Sequence, residues 1–337
     1  MSRILIVGAG VVGKATGKGF AKKGHDITFV DVVPATLEKL RVEGLRAMTM
    51  SEVDWLAVDV VMICVPTPTV NDRIVLEYIA TAADEIGCGL AKTDQFIAVV
   101  VRSTVPPTTT EQLILPVLEE ASDKKVGVDF GLAMNPEFLR QASSEQDFLR
   151  PWITVLGCTD LRTTQLLRDV YAPFGSLIAF CTPTEAEMVK YTSNVYNALK
   201  ISYFNEIDSL CQNLAIDSQL VGSIVARTAE GMWNPLYGTK GGVPFGGACL
   251  PKDTAAYVEF ARQFGIDPVM VDATIAVNKS LEQKIAAVAS PDQIDAALAQ
   301  RRVSFVQKTD EAGRDQENAP VEVITQNTQN ESMGATL

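Results

Sequence analysis

Residues 8–13 read Gly8-Ala9-Gly10-Val11-Val12-Gly13, and their flanks leave this chain little choice of fold. A short apolar run, Arg3–Val7, precedes them, and a helical pattern follows to about Lys23. Ile27–Val30 is a second apolar run, ending at Asp31. Strand, glycine turn, helix, strand and acid in that order specify a parallel βαβ unit that binds a dinucleotide. Gly8 permits the tight turn, Gly10 lets backbone approach a pyrophosphate, and Gly13 lets helix and strand pack closely. The helix start at Val11, Val12 and Gly13 turns unpaired N–H groups toward the phosphates. Asp31 is placed to bind a ribose 2′-hydroxyl and would repel a 2′-phosphate, so NAD is expected rather than NADP.

The alternation continues downstream. Val58–Val65, Phe96–Val101, Gly131–Met134 and Ile153–Leu156 read as strands, with helical stretches near 74–86 and 108–120. This predicts an α/β fold with a doubly wound parallel sheet, whose ligands bind beyond the carboxyl ends of the strands. Three polar segments fall at those ends: Pro66-Thr67-Pro68-Thr69, Ser103 to Pro107, and Asn135 to Gln141. Proline, serine and asparagine also mark ordinary loops, and residue type alone leaves both readings open.

The second half is helical. From Thr184 to about Leu214 the chain has neither Pro nor Gly and reads as one helix of ~30 residues, roughly 45 Å long. Thr182 or Thr184 can cap it, and Glu185 and Glu187 suit its first turn. Lys190 and Asn194 are four apart and share a face, with Glu187 beside them. A loop rich in glycine, proline and aromatics, Gly231–Lys252, leads to Asp253, which is expected to cap a helix through about Gln263.

Cys249 stands just ahead of that helix, in Gly246-Gly247-Ala248-Cys249-Leu250-Pro251-Lys252-Asp253. A helix N-terminus and the adjacent Lys252 favour a thiolate nucleophile. The plainer reading is an inert cysteine packed in a tight loop. A nucleophilic sulfur together with a hydride acceptor suggests oxidation through a covalent thiohemiacetal and thioester.

Composition narrows the chemistry. A net charge of −12 argues against a general binder of nucleic acid or anionic membranes. No apolar run approaches the ~18 residues of a membrane span. The N-terminus enters a strand at once, which reads as leaving no room for a signal peptide, so a cytoplasmic location is expected. The six cysteines include no Cys-x-x-Cys pair, so disulfide frameworks and metal sites are disfavoured, and Cys64 is expected to pack in the core. His25 is the sole histidine and reads as a polar turn residue. Acid–base work is therefore expected from Lys, Asp, Glu, Thr or bound water.

With these residues assembled, the chain resembles the UDP-glucose/GDP-mannose dehydrogenase family from residue 1 to about 280. The resemblance rests on the glycine turn, Val65-Pro66-Thr67-Pro68, Ser103-Thr104-Val105-Pro106-Pro107, Asn135-Pro136-Glu137-Phe138-Leu139-Arg140, Ala186-Glu187-Met188-Val189-Lys190 and the Cys249 octapeptide. It implies a Rossmann domain over 1–182 and an all-helical dimerisation and catalytic domain over 183–280 with the long helix at its centre; past that match, 281–337 read from composition as a short helix (about 281–301) and a disordered tail. The implied reaction is NAD-dependent, four-electron oxidation of a nucleotide-sugar C6 alcohol to a carboxylate, of the UDP-glucose to UDP-glucuronate type that serves polysaccharide biosynthesis. By matched position, Cys249 is the nucleophile and Lys190 and Asn194 stabilise the oxyanion. Asp253 and Thr104 organise water and proton transfer, Glu137 assists thioester hydrolysis, and Lys252 favours the thiolate. Val65, Pro66, Thr67 and Thr104 join Gly8, Gly10, Val11, Val12, Gly13 and Asp31 at the cofactor. The long helix, 184–214, resembles the family's dimer helix, which implies a homodimer.

Three departures qualify the match. Gln141 stands where the family usually has a second acid. Trp233 stands near the position of a loop arginine that reaches a neighbouring subunit's substrate, and Lys240 is the closest basic residue of the loop. The sequence after Ser280 lacks the strand–helix alternation of the family's C-terminal nucleotide-sugar-binding domain, and 309–337 read as disordered. Two other functions therefore stand beside a minimal dehydrogenase. One is a catalytically silent NAD-binding scaffold or partner-dependent half-enzyme. The other is a β-hydroxyacid-type dehydrogenase, to which the Cys249 loop would be superfluous.

Overall fold

The computed structural model describes residues 1–288, which divide into a unit from Met1 to Asn194 and a second unit beginning at Val195. In the first unit the βαβ start is present as read: β1 (Arg3–Val7), α1 (Val11–Lys22) and β2 (Asp26–Val30). Next come α2 (Pro34–Val42), the two-residue β3 (Ala47–Met48), β4 (Val60–Ile63) and a small hairpin of β5 (Thr69–Val70) and β6 (Arg73–Ile74). The chain continues through α3 (Glu77–Leu90), β7 (Ile97–Val101), a π-helical turn over Thr110–Ile114 that runs into α4 (Leu115–Ser122), and β8 (Phe130–Met134). Then follow α5 (Ser144–Leu149), β9 (Ile153–Cys158), α6 (Leu161–Tyr171) and β10 (Leu177–Cys181).

Eight strands form one sheet in the order β10-β9-β8-β7-β4-β1-β2-β3. Every adjacent pair is parallel except β8 and β9. The doubly wound parallel sheet read from the sequence is thus present, with that one antiparallel pair within it. Parallel neighbours need a crossover, whereas residues 135–152, carrying only the short α5, return the chain to the end of the sheet they left. The strands at the centre are continuous apolar runs because helices cover both faces. In β4, Val61 and Ile63 share a core with Ile79, Ala83 and Ile86 of α3, whereas Val60 and Met62 share one with Phe20 of α1 and Leu40 of α2. Each such fully buried Val, Ile, Leu, Met or Phe side chain contributes about 1.5–3 kcal/mol. Cys64 packs in the second of these cores, as expected, and burial pushes its thiol up to about 12.

His25 departs from its polar-turn reading. It follows α1 but is 9% exposed, edge-on to Phe20 at 5.6 Å, and its Nδ1 accepts a hydrogen bond from the Ser2 N–H at 3.2 Å. Burial holds its pKa below the usual imidazole value.

α7 (Pro183–Asn213) is the predicted long helix, and Thr182 and Glu185 close its N-terminus. The second unit adds α8 (Ser218–Thr228), the single turn α9 (Glu230–Trp233), α10 (Leu250–Gln263) and α11 (Val269–Val288). Asp217 caps α8 through the Gln219 and Leu220 N–H groups, and Glu206 accepts from the Met270 N–H at 2.7 Å at the start of α11. That cap starts the helix well before the expected 281. The rest of the helix read over 281–301, and the tail over 309–337, lie outside the described residues.

Candidate functional site

Gly8 has φ +93°, the left-handed conformation that its turn requires, and its N–H bonds the Val30 carbonyl at 2.8 Å. A Cβ on Gly13 would lie 1.9 Å from the Gly8 carbonyl oxygen, so α1 meets the turn at a distance that only glycine permits. A Cβ on Gly10, by contrast, would have nothing within 4 Å. Gly10 is the exposed N-cap of α1, and the open space above it, together with the free N–H groups of Val11 and Val12, fits a pyrophosphate. Asp31 is partly exposed beside this turn. One carboxylate oxygen accepts from the Ala9 N–H at 2.8 Å and the other from the Val33 N–H at 2.9 Å. Each oxygen keeps a lone pair for a ribose hydroxyl.

Two of the polar loops at the strand ends are tied together. Thr67 Oγ1 donates to the Thr104 carbonyl at 2.7 Å, and Ser103 Oγ to the Val65 carbonyl at 2.6 Å. Pro66, exposed between Val65 and Thr67, lends no donor of its own. The third loop is anchored from below. Buried Asn135 accepts from Arg102 and Tyr171 and donates to the Val155 carbonyl at 2.7 Å, while Arg102 Nε donates to Thr16 at 2.8 Å. Arg102 also stacks over Phe148 at 4.9 Å. An open cavity of about 700 Å³ lies against this loop, lined by Arg102, Asn135, Phe138, Arg140, Trp152 and Tyr171 among others.

Beyond Asn135, Glu137 meets α7. Lys190 Nζ donates to Glu137 Oε1 at 2.8 Å, with the two side chains 6% and 14% exposed, and the Leu139 N–H donates to Glu137 Oε2 at 2.7 Å. The ammonium also lies 5.6 Å from the Phe138 ring centre. Two of the residues singled out in the sequence are thus paired directly, a pairing that spacing could not reveal. Asn194, one turn after Lys190, is exposed.

Glu187 is the residue that the sequence reading undervalued. It is fully buried, whereas the sequence reading gave it only a dipole-favoured place in the first turn beside Lys190. Its Oε1 accepts from the Thr110 N–H at 2.7 Å and Oγ1 at 2.6 Å, and its Oε2 is buried without a hydrogen bond. Burial pushes its pKa up, against the hydrogen bonds from Thr110, which pull it down. The available sequence signal was the Ala186-Glu187 pair itself, set among apolar neighbours at the helix start.

Cys249, Lys252 and Asp253 belong to the second unit, whereas Lys190, Asn194, Glu137 and Thr104 belong to the first. Cys249 is exposed and is itself the N-cap of α10, with Leu250 and Pro251 opening the helix. This corrects the expectation that Asp253 caps it. Pro251 has no N–H to satisfy and suits the first turn, which places Asp253 inside that turn, its N–H bonding the Cys249 carbonyl at 2.8 Å. Lys252 pairs with Asp253 at 2.5 Å on the surface, and this bond raises the Lys252 pKa. Trp233 ends α9 and is exposed, as is Lys240. Gln141 opens a short 3₁₀ turn.

The profile for the NAD binding domain of the UDP-glucose/GDP-mannose dehydrogenase family matches residues 2–175, and that for the family's central domain matches residues 184–280. The chain is 35% identical over 302 residues to GDP-mannose 6-dehydrogenase of Pseudomonas putida, covering 83% of this chain and 69% of that one. It is 35% identical over 305 residues to UDP-glucose 6-dehydrogenase of Haloferax volcanii, covering 83% and 70%. Among solved structures, a ternary complex of GDP-mannose dehydrogenase from Pseudomonas aeruginosa aligns with a TM-score of 0.77 at 34% identity, covering 84% of this chain and 69% of that one.

Proposed function

This chain belongs to the UDP-glucose/GDP-mannose dehydrogenase family, and we propose that it oxidises the C6 alcohol of a nucleotide sugar to the carboxylate through a thioester on Cys249. It is an NAD-dependent enzyme of the nucleotide-sugar 6-dehydrogenase type. NAD, when bound, supplies the two-electron oxidant for each of two turns. The chain's own residues do the rest. After the first oxidation, the Cys249 thiolate adds to the C6 aldehyde, forming a C–S bond and leaving negative charge on oxygen. Lys190 and Asn194 stabilise that oxyanion with hydrogen bonds that strengthen as charge develops. The bond from Lys190 to Glu137 uses one of its three donors and leaves two for substrate.

The second oxidation gives a thioester. Water attacks its carbonyl, the C–S bond breaks, and the thiolate departs. Glu137 takes the proton from that water, with Thr104 and Asp253 ordering it and Lys252 favouring the departing thiolate. The observation that carries this reading is the exposure of Cys249 at the N-terminus of α10, a setting that suits a nucleophile rather than a core cysteine.

A homodimer fits the apolar side chains that the second unit leaves exposed, including Val195, Tyr196, Leu199 and Ile201 on α7 and Leu220 and Ile224 on α8. A reducing cytoplasmic setting fits the six free cysteines. No helix among the described residues is long and apolar enough to cross a membrane.

The test is NADH formed per sugar oxidised, with GDP-mannose and UDP-glucose heading a panel of nucleotide sugars. Two NADH per sugar, abolished in Cys249→Ser with NAD affinity unchanged, is the expected result. An unchanged acid yield in that variant refutes the covalent step. Intact NAD binding without turnover favours the scaffold or half-enzyme reading instead.

A further inference from the structure

The segment from Ser103 to Thr110 is held at both ends and strained between them. At its start, Thr67 and Ser103 hydroxyls fix it to the end of β4. At its end stands Thr108, a β-branched residue with φ +78°, a conformation that such residues adopt only under constraint. Two residues later Thr110 opens a π-helical turn, a form concentrated at functional sites. The constraint is visible. Glu187 Oε1 takes both the N–H and the hydroxyl of Thr110, across 77 residues of sequence.

Glu187 belongs to the same helical face as Lys190, three residues on. One face of α7 therefore grips two loops: Glu187 holds the segment that presents Thr104, and Lys190 holds Glu137. A neutral side chain could serve as an acceptor for Thr110 at less cost. The chain instead buries a whole carboxylate with one oxygen unpartnered. Simple helix capping does not call for that.

We propose that Glu187 is a positioning residue, which clamps the Thr108–Thr110 turn to α7 and so fixes Thr104 in register with Lys190. The inference rests on the function proposed above and adds to it a residue that touches no reacting atom. Its action is geometric: a displacement of about 1 Å at a reacting group can cost about 100-fold in rate without loss of binding.

The experiment compares wild type with Glu187→Ala, Glu187→Gln and Thr110→Val. The readouts are kcat, KM for NAD and nucleotide sugar, melting temperature, and amide hydrogen exchange over residues 103–112. Glu187→Ala is expected to lower kcat by about tenfold or more, with both KM values within about threefold. Exchange over 103–112 should quicken. Glu187→Gln should restore most of kcat, because its amide oxygen accepts from the same two Thr110 donors. Thr110→Val, which keeps the N–H, should lose less than Glu187→Ala and gives the reading if that variant does not fold. A wild-type kcat in Glu187→Ala overturns the inference. So does a loss in both Glu187 variants that merely follows their melting temperatures. If wild type itself turns over no nucleotide sugar, the proposed function fails separately. Exchange over 103–112 then decides the clamp: faster in Glu187→Ala upholds it, unchanged overturns it.

Discussion

Substituting Gly10 and Gly13 separately by alanine should divide cofactor binding from folding. At Gly13 the new methyl would stand 1.9 Å from the Gly8 carbonyl oxygen and 3.3 Å from the Cys64 Cβ. The first contact is with backbone fixed by β1 and cannot yield by rotating a side chain. Overpacking of this kind costs about 1–3 kcal/mol, and backbone contact places it near the top of that range. Alanine's better helix propensity returns about 1 kcal/mol, leaving a net loss of about 2 kcal/mol. At about 2–4 °C per kcal/mol, the melting temperature should fall by about 4–8 °C. At Gly10 the methyl meets nothing, and φ −69° suits alanine. The weaker N-cap and the reduced unfolded-state entropy nearly cancel, so stability should change by less than about 1 kcal/mol. That methyl nevertheless occupies the approach to the helix N-terminus, and NAD should bind at least about tenfold more weakly, or about 1.4 kcal/mol. Thermal melts and NAD titration calorimetry on both variants make the comparison. A Gly10→Ala protein with undiminished NAD affinity would refute the assignment of that open space to the pyrophosphate.

Other expectations are simpler to state. Lys190→Met removes the proposed oxyanion donor and strands Glu137, so kcat should fall about 10²–10³-fold, and a near-wild-type kcat would reduce the Lys190–Glu137 pair to packing. Asp31→Ser should narrow the preference for NAD over NADP in kcat/KM, whereas a wild-type chain that uses both equally would leave Asp31 only its bonds from the Ala9 and Val33 N–H groups. Asp59→Asn should cost about 1 kcal/mol in urea melts at neutral pH, because Asp59 accepts from the Arg3 side chain, the Arg3 N–H and Gln95. The bond from Arg3 holds the Asp59 carboxyl below its usual value. Its stabilisation is therefore complete above about pH 4 and is lost as pH falls through the lower folded value, so variant and wild type should converge in strong acid. A gap that stays constant into strong acid would contradict this.

The sequence makes plain what depends on near neighbours. The βαβ start was legible because glycines at fixed spacing serve a local turn, and α7 because no residue in it breaks a helix. The buried strands were legible as apolar runs. The short β3 and the β5–β6 hairpin were not, since two-residue strands carry no periodicity. β10, at the edge of the sheet and only partly buried, also lacked a strong pattern. The reversal between β8 and β9 depends on where an irregular connection returns, which residue types do not specify. At the site, motif and spacing indicated Lys190 and Glu137 singly, but their pairing joins positions 53 residues apart. Glu187 was not legible for the same reason: a helix dipole acts along its own helix, whereas the partner of Glu187 is Thr110 on another.

The buried histidine beside Phe20 gives the chain a built-in reporter. A protein with one imidazole has one set of histidine ring resonances, so a proton NMR spectrum can follow it without isotopic editing of the rest. Its Nδ1 takes the Ser2 N–H, which makes the ring sensitive to whether the first strand is docked. Its lowered pKa means that it remains neutral in the folded chain at a pH where the unfolded chain takes up a proton. Acidification from about pH 6.5 therefore draws on this site first. The titration of one ring then records how firmly the start of the cofactor fold is held, with or without dinucleotide present.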